Sequence, residues 1–330
     1  MRFGLALPHY DCSIAGACPL PYDTLLGVAT DAERLGFDSL WLSDHLTWDL
    51  AKYGADDTKY GVYEALSTIA ALAAVTNHIR LGTLVLCEAL RPAGVLAKAA
   101  AATDRVSGGR FDLGLGAGWY APDYEAVGMA MPRPGVRIDR LDEYLSVVVP
   151  MLHSREPVTF TGTYHSVAHA ANEPAPIQDR LPVFVGGRGD RLLGLAARHG
   201  VGWNTCWAVT PAAYQARLDV LAAACERYER PLDAIWQSVG LYALCGEDER
   251  DLQQRFDRMV AATPRGVLDG MTLAQWREGR LVGTVEQVRE QCAVWSELGV
   301  ETIIVGNGAV PFQMVDADDV ALLAAALVTT

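Results

Sequence analysis

Thr103-Asp-Arg-Val-Ser-Gly-Gly-Arg-Phe-Asp-Leu-Gly-Leu-Gly-Ala-Gly-Trp119 decides how this chain is to be read. A helical pattern, Gly94–Val106, stops at Gly108-Gly109, and an apolar strand, Phe111–Gly116, follows at once. The same unit recurs along the sequence. Tyr22–Leu35 stops at Gly36 before Ser39–Leu42, Arg191–His199 stops at Gly200 before Gly202–Thr205, and Thr284–Leu298 stops at Gly299 before Thr302–Val305. An alanine-rich segment, Tyr63–Thr76, precedes Ile79–Leu86. Phe3–Leu7, Pro182–Val185 and Ser238–Leu244 complete the strands. Most strands are apolar on successive residues, which is the pattern of parallel strands covered on both faces.

About eight such helix–strand units fit the length of the chain, and that count favours a closed (β/α)8 barrel over an open sheet. Two insertions interrupt the pattern. Gly162, between Val158-Thr-Phe-Thr and Thr163-Tyr-His-Ser-Val, predicts a hairpin before the fifth strand, and Ala261–Arg280 reads as a mobile lid after the seventh. No composition break divides residues 1–330, which are expected to form a single domain.

Of the 330 residues, 51% are hydrophobic and 20% charged, enough for a large core and contrary to disorder. The net charge is -13 and no run of Lys or Arg offers a basic stripe, so nucleic acid is not an expected partner. Seven cysteines, none in CxxC spacing, read as scattered thiols of a reducing compartment, with a Cys12–Cys18 disulfide the alternative. The opening apolar run is too short for a signal peptide and no uninterrupted apolar span is long enough for a membrane helix, so a cytoplasmic protein is expected.

Active sites on a (β/α)8 barrel sit where the strands end at the C-terminal face. Four strand ends carry chemistry-bearing residues. Asp44-His45 ends the second strand; the imidazole could move a proton near neutrality, or the pair could cap the turn. Cys87, after the third strand, reads as a buried hydrophobe that could line a pocket, with no His or Lys tied to it. Gly114, Gly116 and Gly118 alternate at the end of the fourth strand, where missing side chains admit a flat ring or merely tighter packing. Val185-Gly-Gly-Arg-Gly189-Asp190 joins the fifth strand to a helix. Its backbone N–H groups and Arg188 suit a phosphate, with Asp190 the alternative helix cap. No spacing of ligands suggests a metal.

These segments, with Phe3-Gly-Leu-Ala-Leu-Pro, Ala32-Glu-Arg-Leu-Gly-Phe-Asp-Ser-Leu-Trp and Gly283-Thr-Val-Glu-Gln-Val, occur in an order that resembles the luciferase-like family of flavin and deazaflavin oxidoreductases over nearly the whole chain. The resemblance implies a (β/α)8 barrel with a cofactor ring at its mouth. Asp-His at positions 44 and 45 resembles the branch that uses the deazaflavin coenzyme F420, whereas many FMN-dependent members carry Glu-His. The resemblance then implies that Asp44 lies against the ring and helps set the environment of His45, that His45 faces the substrate and moves its proton, and that Leu84, Val85, Cys87, Gly116, Ala117 and Gly118 surround the ring. It implies a non-proline cis peptide at Leu84–Val85. It also implies that Gly186, Gly187, Arg188 and Gly189 hold the phosphate of the cofactor tail. Sugar-phosphate dehydrogenases of this branch carry an acid where this chain has Trp119, and Trp119, Trp48 and Tyr120 suggest a more apolar substrate. The expectation is an F420-dependent oxidoreductase moving a hydride to or from a small organic molecule. The alternatives are an FMN-dependent monooxygenase using O2 and a flavin-binding protein without catalysis. Many members of the family dimerise, and a homodimer is expected.

Overall fold

The computed structural model describes residues 1–328. Eight parallel strands close on themselves: β1 (Arg2–Ala6), β2 (Ser39–Leu42), β3 (Arg80–Thr83), β4 (Phe111–Gly116), β5 (Val183–Gly186), β6 (Gly202–Trp207), β7 (Gln237–Gly246) and β8 (Thr302–Gly306). Each pairs with the next, and β8 pairs with β1, which leaves no free edge in the ring. Helices between the strands cover the outside, among them α1 (Tyr22–Arg34), α2 (Ala65–Ala73), α3 (Ala93–Val106), α4 (Pro134–His153) and α5 (Asp190–His199). The molecule is a (β/α)8 barrel.

The doubly covered strands explain the unbroken apolar runs: every residue of β2, β4 and β7 is buried. The barrel interior is filled by large rings seated against glycines. Trp41 of β2 is fully buried, stands in register with Gly82 of β3, and packs edge-on against Phe184 of β5 at 5.5 Å. A Cβ on Gly82 would fall 2.3 Å from the Trp41 ring, so the strand positions beside the tryptophan have no room for a side chain.

The third strand is not continuous, as Ile79–Leu86 was read to be. It ends at Thr83, passes through a bulge at Leu84-Val85, and resumes pairing with β4 only at Leu86–Cys87. The Leu84–Val85 peptide is cis, and so is Cys206–Trp207 at the end of β6, which the sequence did not suggest. Thr83 bridges the interrupted ladder: its hydroxyl donates to Gly114 O at 3.0 Å and accepts from Gly114 N at 2.8 Å. The bulge throws the Val85 side chain across the barrel mouth, between the last residues of β4 and β5. A Cβ on Gly116 would lie 2.6 Å from Val85 Cγ2, and one on Gly186 would lie 2.9 Å from Val85 Cγ1. These two glycines therefore make room for Val85 rather than for a ligand, and Gly114, hemmed in by Thr83 O and Phe184, is likewise a packing glycine.

Val158–Thr161 and Ser166–Ala170 form an antiparallel pair ahead of β5. Glu143 of α4 holds its turn by accepting from the N–H groups of Thr163, Tyr164 and His165. The segment after β7 is packed down: Leu268 and Trp276 are buried with Tyr242 and Phe256. It meets the loop after β2, where a Cβ on Gly54 would lie 2.5 Å from Gly266 O.

Gly116→Ala should lower the unfolding free energy by about 1–3 kcal/mol, the usual cost of overpacking. Adding Val85→Ala should recover part of that loss in a double-mutant cycle measured by urea denaturation. Strictly additive losses would mean that Val85 is not the obstacle.

Candidate active site

The three residues that follow β2 set the geometry of the barrel mouth, because each is fixed by a different neighbouring loop. Ser43 is held from the loop after β1. His9, fully buried, directs Nδ1 to Leu7 O at 2.8 Å, so the proton sits on Nδ1 and Nε2 must accept. Ser43 N donates to that Nε2 at 3.2 Å, Ser43 Oγ lies 3.1 Å from it, and the Tyr10 hydroxyl is hydrogen-bonded to Ser43 Oγ. Burial pushes the His9 pKa down to about 4, with the backbone contact to Leu7 opposing the shift.

Asp44 is held from the loop after β3. The Arg91 guanidinium grips its carboxylate with two bonds, of 2.7 and 2.9 Å, and Cys87 N donates to it at 2.9 Å. Arg91 also pairs with Glu64, the cap of α2. Burial, opposed in part by the Ala89 backbone, pushes the Cys87 thiol up to about 11, so this cysteine is a neutral wall residue.

His45 is held from the loop after β4. Its Nδ1 lies 2.7 Å from Asp123 Oδ2, and Leu46 N donates to Asp123 Oδ1 at 2.9 Å. A carboxylate accepts only, so Asp123 fixes the imidazole proton on Nδ1 and leaves Nε2 as the nitrogen without a protein partner among the described residues. The expectation that Asp44 sets the environment of His45 is corrected here: Asp44 is committed to Arg91, and the partner of His45 is Asp123.

These groups border a cavity of about 400 Å³ at the C-terminal mouth, a size within the roughly 300–1,000 Å³ of small-molecule sites. Every residue expected at the site lines it except Gly189: Asp44, His45, Trp48, Leu84, Val85, Cys87, Gly116, Ala117, Gly118, Trp119, Tyr120, Gly186, Gly187 and Arg188 do. Gly189 instead caps α5, which removes Asp190 from that role; the Asp190 carboxylate pairs with Arg217. Arg188 is also redirected. Its Nε donates to Thr205 Oγ1 at 3.0 Å and its Nη2 to Cys206 O at 2.5 Å, so most of its hydrogen-bonding capacity secures the end of β6. In the glycine turn, Gly187 N is taken by Asn204 O, while the N–H groups of Arg188 and Gly189 have no partner among the described residues.

Around His45 the walls are aromatic. Trp48 stands 4.5 Å from its ring and stacks on Tyr10 at 5.3 Å. Trp119, 44% exposed, stands edge-on to His45 at 5.8 Å, with Lys52 Nζ 3.8 Å above it. The Tyr120 hydroxyl is bound to Asp49, beside Lys59, and burial followed by Asp49 pushes its pKa up to about 12. The sequence reading missed Asp123, Arg91, Lys52 and Asn204. Asp123 had one local signal: it follows Pro122 in the first turn of the short helix Ala121–Ala126, directly after the strand-end glycines. Among the described residues no cluster of His, Cys, Asp and Glu could hold a metal ion, and no helix is long and apolar enough to cross a membrane.

A family model described as luciferase-like monooxygenase matches residues 1–302. F420-dependent glucose-6-phosphate dehydrogenases of Microbacterium testaceum and Kineococcus radiotolerans are 33% and 35% identical to this chain, over 59% and 54% of its length and 55% and 51% of theirs. Pyrimidine monooxygenase RutA of Cronobacter turicensis is 27% identical over 77% of this chain and 66% of its own. The chain thus spans little more than half the length of the F420-dependent relatives it matches. Among solved structures, an F420-dependent secondary alcohol dehydrogenase in complex with an F420-acetone adduct superimposes with a TM-score of 0.77, at 19% identity and covering 99% of this chain and 98% of that one. The monooxygenase RslO1 of Streptomyces bottropensis gives 0.76 at 22% identity, covering 99% of both chains. At these identities the structures speak for the fold.

The buried His9 carries a pH signature. Folded His9 stays neutral down to about pH 4, whereas unfolded histidine takes a proton near 6.5. Its contribution to stability is therefore complete above about pH 6.5 and is lost as pH falls toward 4, by roughly 3 kcal/mol in all. In His9→Asn the decline in unfolding free energy between pH 7 and 4 should be smaller than in wild type by about that amount. Equal declines would mean that His9 is protonated in the folded protein.

Proposed function

This chain belongs to the luciferase-like monooxygenase family, and from that premise we propose that it is an F420-dependent oxidoreductase that moves a hydride between the deazaflavin and a small, largely apolar organic substrate. The observation that carries the reading is the His45–Asp123 pair, opening its free Nε2 onto the mouth cavity. The cavity suits such a cofactor on its own chemistry. In its wall lies the glycine turn, where the Arg188 backbone N–H, without a partner among the described residues, is ready for an anion. Asn204 Oδ1, in the cavity wall, is buried without a donor among the described residues, as expected of an acceptor that serves a ligand.

Bound there, a deazaflavin would supply two-electron hydride chemistry. The chain's own residues have the remaining tasks. Val85 and the strand-end glycines fix the shape of the floor. Asp44 holds the loop after β3 in place through Cys87 N and Arg91. The aromatic walls exclude water and favour apolar groups next to the reacting carbon. His45 Nε2 takes the hydroxyl proton when an alcohol is oxidised and returns it when a carbonyl is reduced, while Asp123 steadies the imidazolium formed in between. Trp119 can make no acid, which supports a substrate other than a sugar phosphate despite the names of the F420-dependent relatives. The RutA match, longer than theirs, favours a second reading in which FMN fills the same cavity and O2 is consumed.

Competitive titration of the apoprotein should show tighter binding of F420 than of FMN; an FMN preference would favour the second reading. On a substrate found among secondary alcohols, aldehydes and unsaturated carbonyls, His45→Ala should lose turnover by roughly 10²–10⁴-fold with cofactor affinity little changed. Asp123→Asn, which can donate to Nδ1 and so favour the wrong tautomer, should show a smaller loss in the same direction. Near-normal turnover in His45→Ala would remove it from catalysis.

A further inference from the structure

We propose that Arg137 is the side chain that recognises the phosphate of the cofactor tail. This rests on the reading above that a phosphate-bearing deazaflavin or flavin fills the mouth. Arg137 lies in the first turn of α4 and lines the cavity. The first turns of α4 and α5 are tied together: Arg191 donates to Gly135 O at 3.2 Å and pairs with Asp139. Arg137 and the Gly186–Arg188 turn both line the cavity, and this tie between their helices sets them side by side.

Of the two arginines that line the cavity, Arg137 and Arg188, hydrogen bonding leaves Arg137 the less committed. Its Nη1 donates to Pro132 O at 2.9 Å, within its own loop. Its Nε is buried and has no partner among the described residues. No carboxylate lies within ion-pairing range of it among the described residues. A buried guanidinium N–H without an acceptor is a cost that an anionic ligand removes. The other cations at the mouth are committed elsewhere. Arg91 grips Asp44, Arg188 holds the end of β6, and Lys52 stands over Trp119 at the substrate end. A planar fork with free donors suits phosphate oxygens better than a point charge does.

F420 carries a phosphodiester and FMN a phosphomonoester, and each has a phosphate-free counterpart, the tail-less deazaflavin and riboflavin. Fluorescence titration of all four against wild type, Arg137→Met and Arg137→Lys tests the assignment without any turnover assay. In wild type the phosphate-bearing member of at least one pair should bind more tightly than its counterpart. Arg137→Met should cut that member's affinity about tenfold or more while shifting its counterpart by less than about twofold, which also shows that the variant is folded. Arg137→Lys should fall between. An equal loss for both members of the pair would make Arg137 a structural residue, and no loss would leave the phosphate to the backbone; either overturns the proposal. If wild type shows no phosphate preference the proposal fails while the ring site stands. If it binds none of the four, the cofactor reading fails and this assignment with it.

Discussion

The grip of Arg91 on Asp44 is the contact on which the mouth of this barrel depends. Asp44 is buried, and a bare carboxylate there would be untenable; removing one partner of such a pair typically costs about 3–5 kcal/mol. Arg91 and Cys87 N satisfy it together, which pins the loop after β3 to the end of β2. With Asp44 fixed, the residues on either side are also directed: Ser43 toward His9 and Tyr10, and His45 toward Asp123. One tripeptide thus ties together the loops that follow β1, β3 and β4. The acid that the family resemblance placed beside the ring serves first as the anchor of the loops around it.

A second constraint is steric. The bulge at Leu84-Val85 places one branched side chain between β4 and β5, and both strands must end in glycine to accept it. Bulge and glycines form one packed unit, and the floor of the cavity follows from it. The interrupted β3–β4 ladder costs backbone hydrogen bonds, and Thr83 restores part of them with its hydroxyl. The rigid floor and the loop anchors leave the rim, with Trp119 and Lys52, as the exposed part of the site.

Most of the barrel was legible in the sequence because its strands are buried on both faces and its helices stop at glycine. Ser39–Leu42 and Phe111–Gly116 are found at the bounds read for them, and the other strands differ from their readings by a few residues at their ends. The break in the third strand was less legible, since Thr83-Leu-Val-Leu is equally apolar whether straight or bulged. The cavity-lining residues were legible because strand ends must converge at one face of a closed barrel. Their partners were not. Asp123 lies 78 residues from His45 and Arg91 lies 47 from Asp44, so each pairing exists only once the ring has closed. Arg188 was misjudged for a related reason. Its neighbourhood looks like a phosphate turn, but the acceptors that claim its guanidinium, Thr205 Oγ1 and Cys206 O, belong to the next strand.

The central claim is that Asp123 keeps a proton on His45 Nδ1 and leaves Nε2, facing the cavity, as the nitrogen that exchanges a proton with the substrate. Nitrogen-15 chemical shifts of the His45 ring, assigned by comparison with His45→Ala and recorded across a pH series up to the neutral form of the ring, test this on that neutral form without any ligand. The account predicts a protonated Nδ1 and an unprotonated Nε2, with the two tautomers mixing once Asp123 is replaced by Asn. A proton resident on Nε2 in the wild-type protein, or a tautomer indifferent to Asp123, would contradict it.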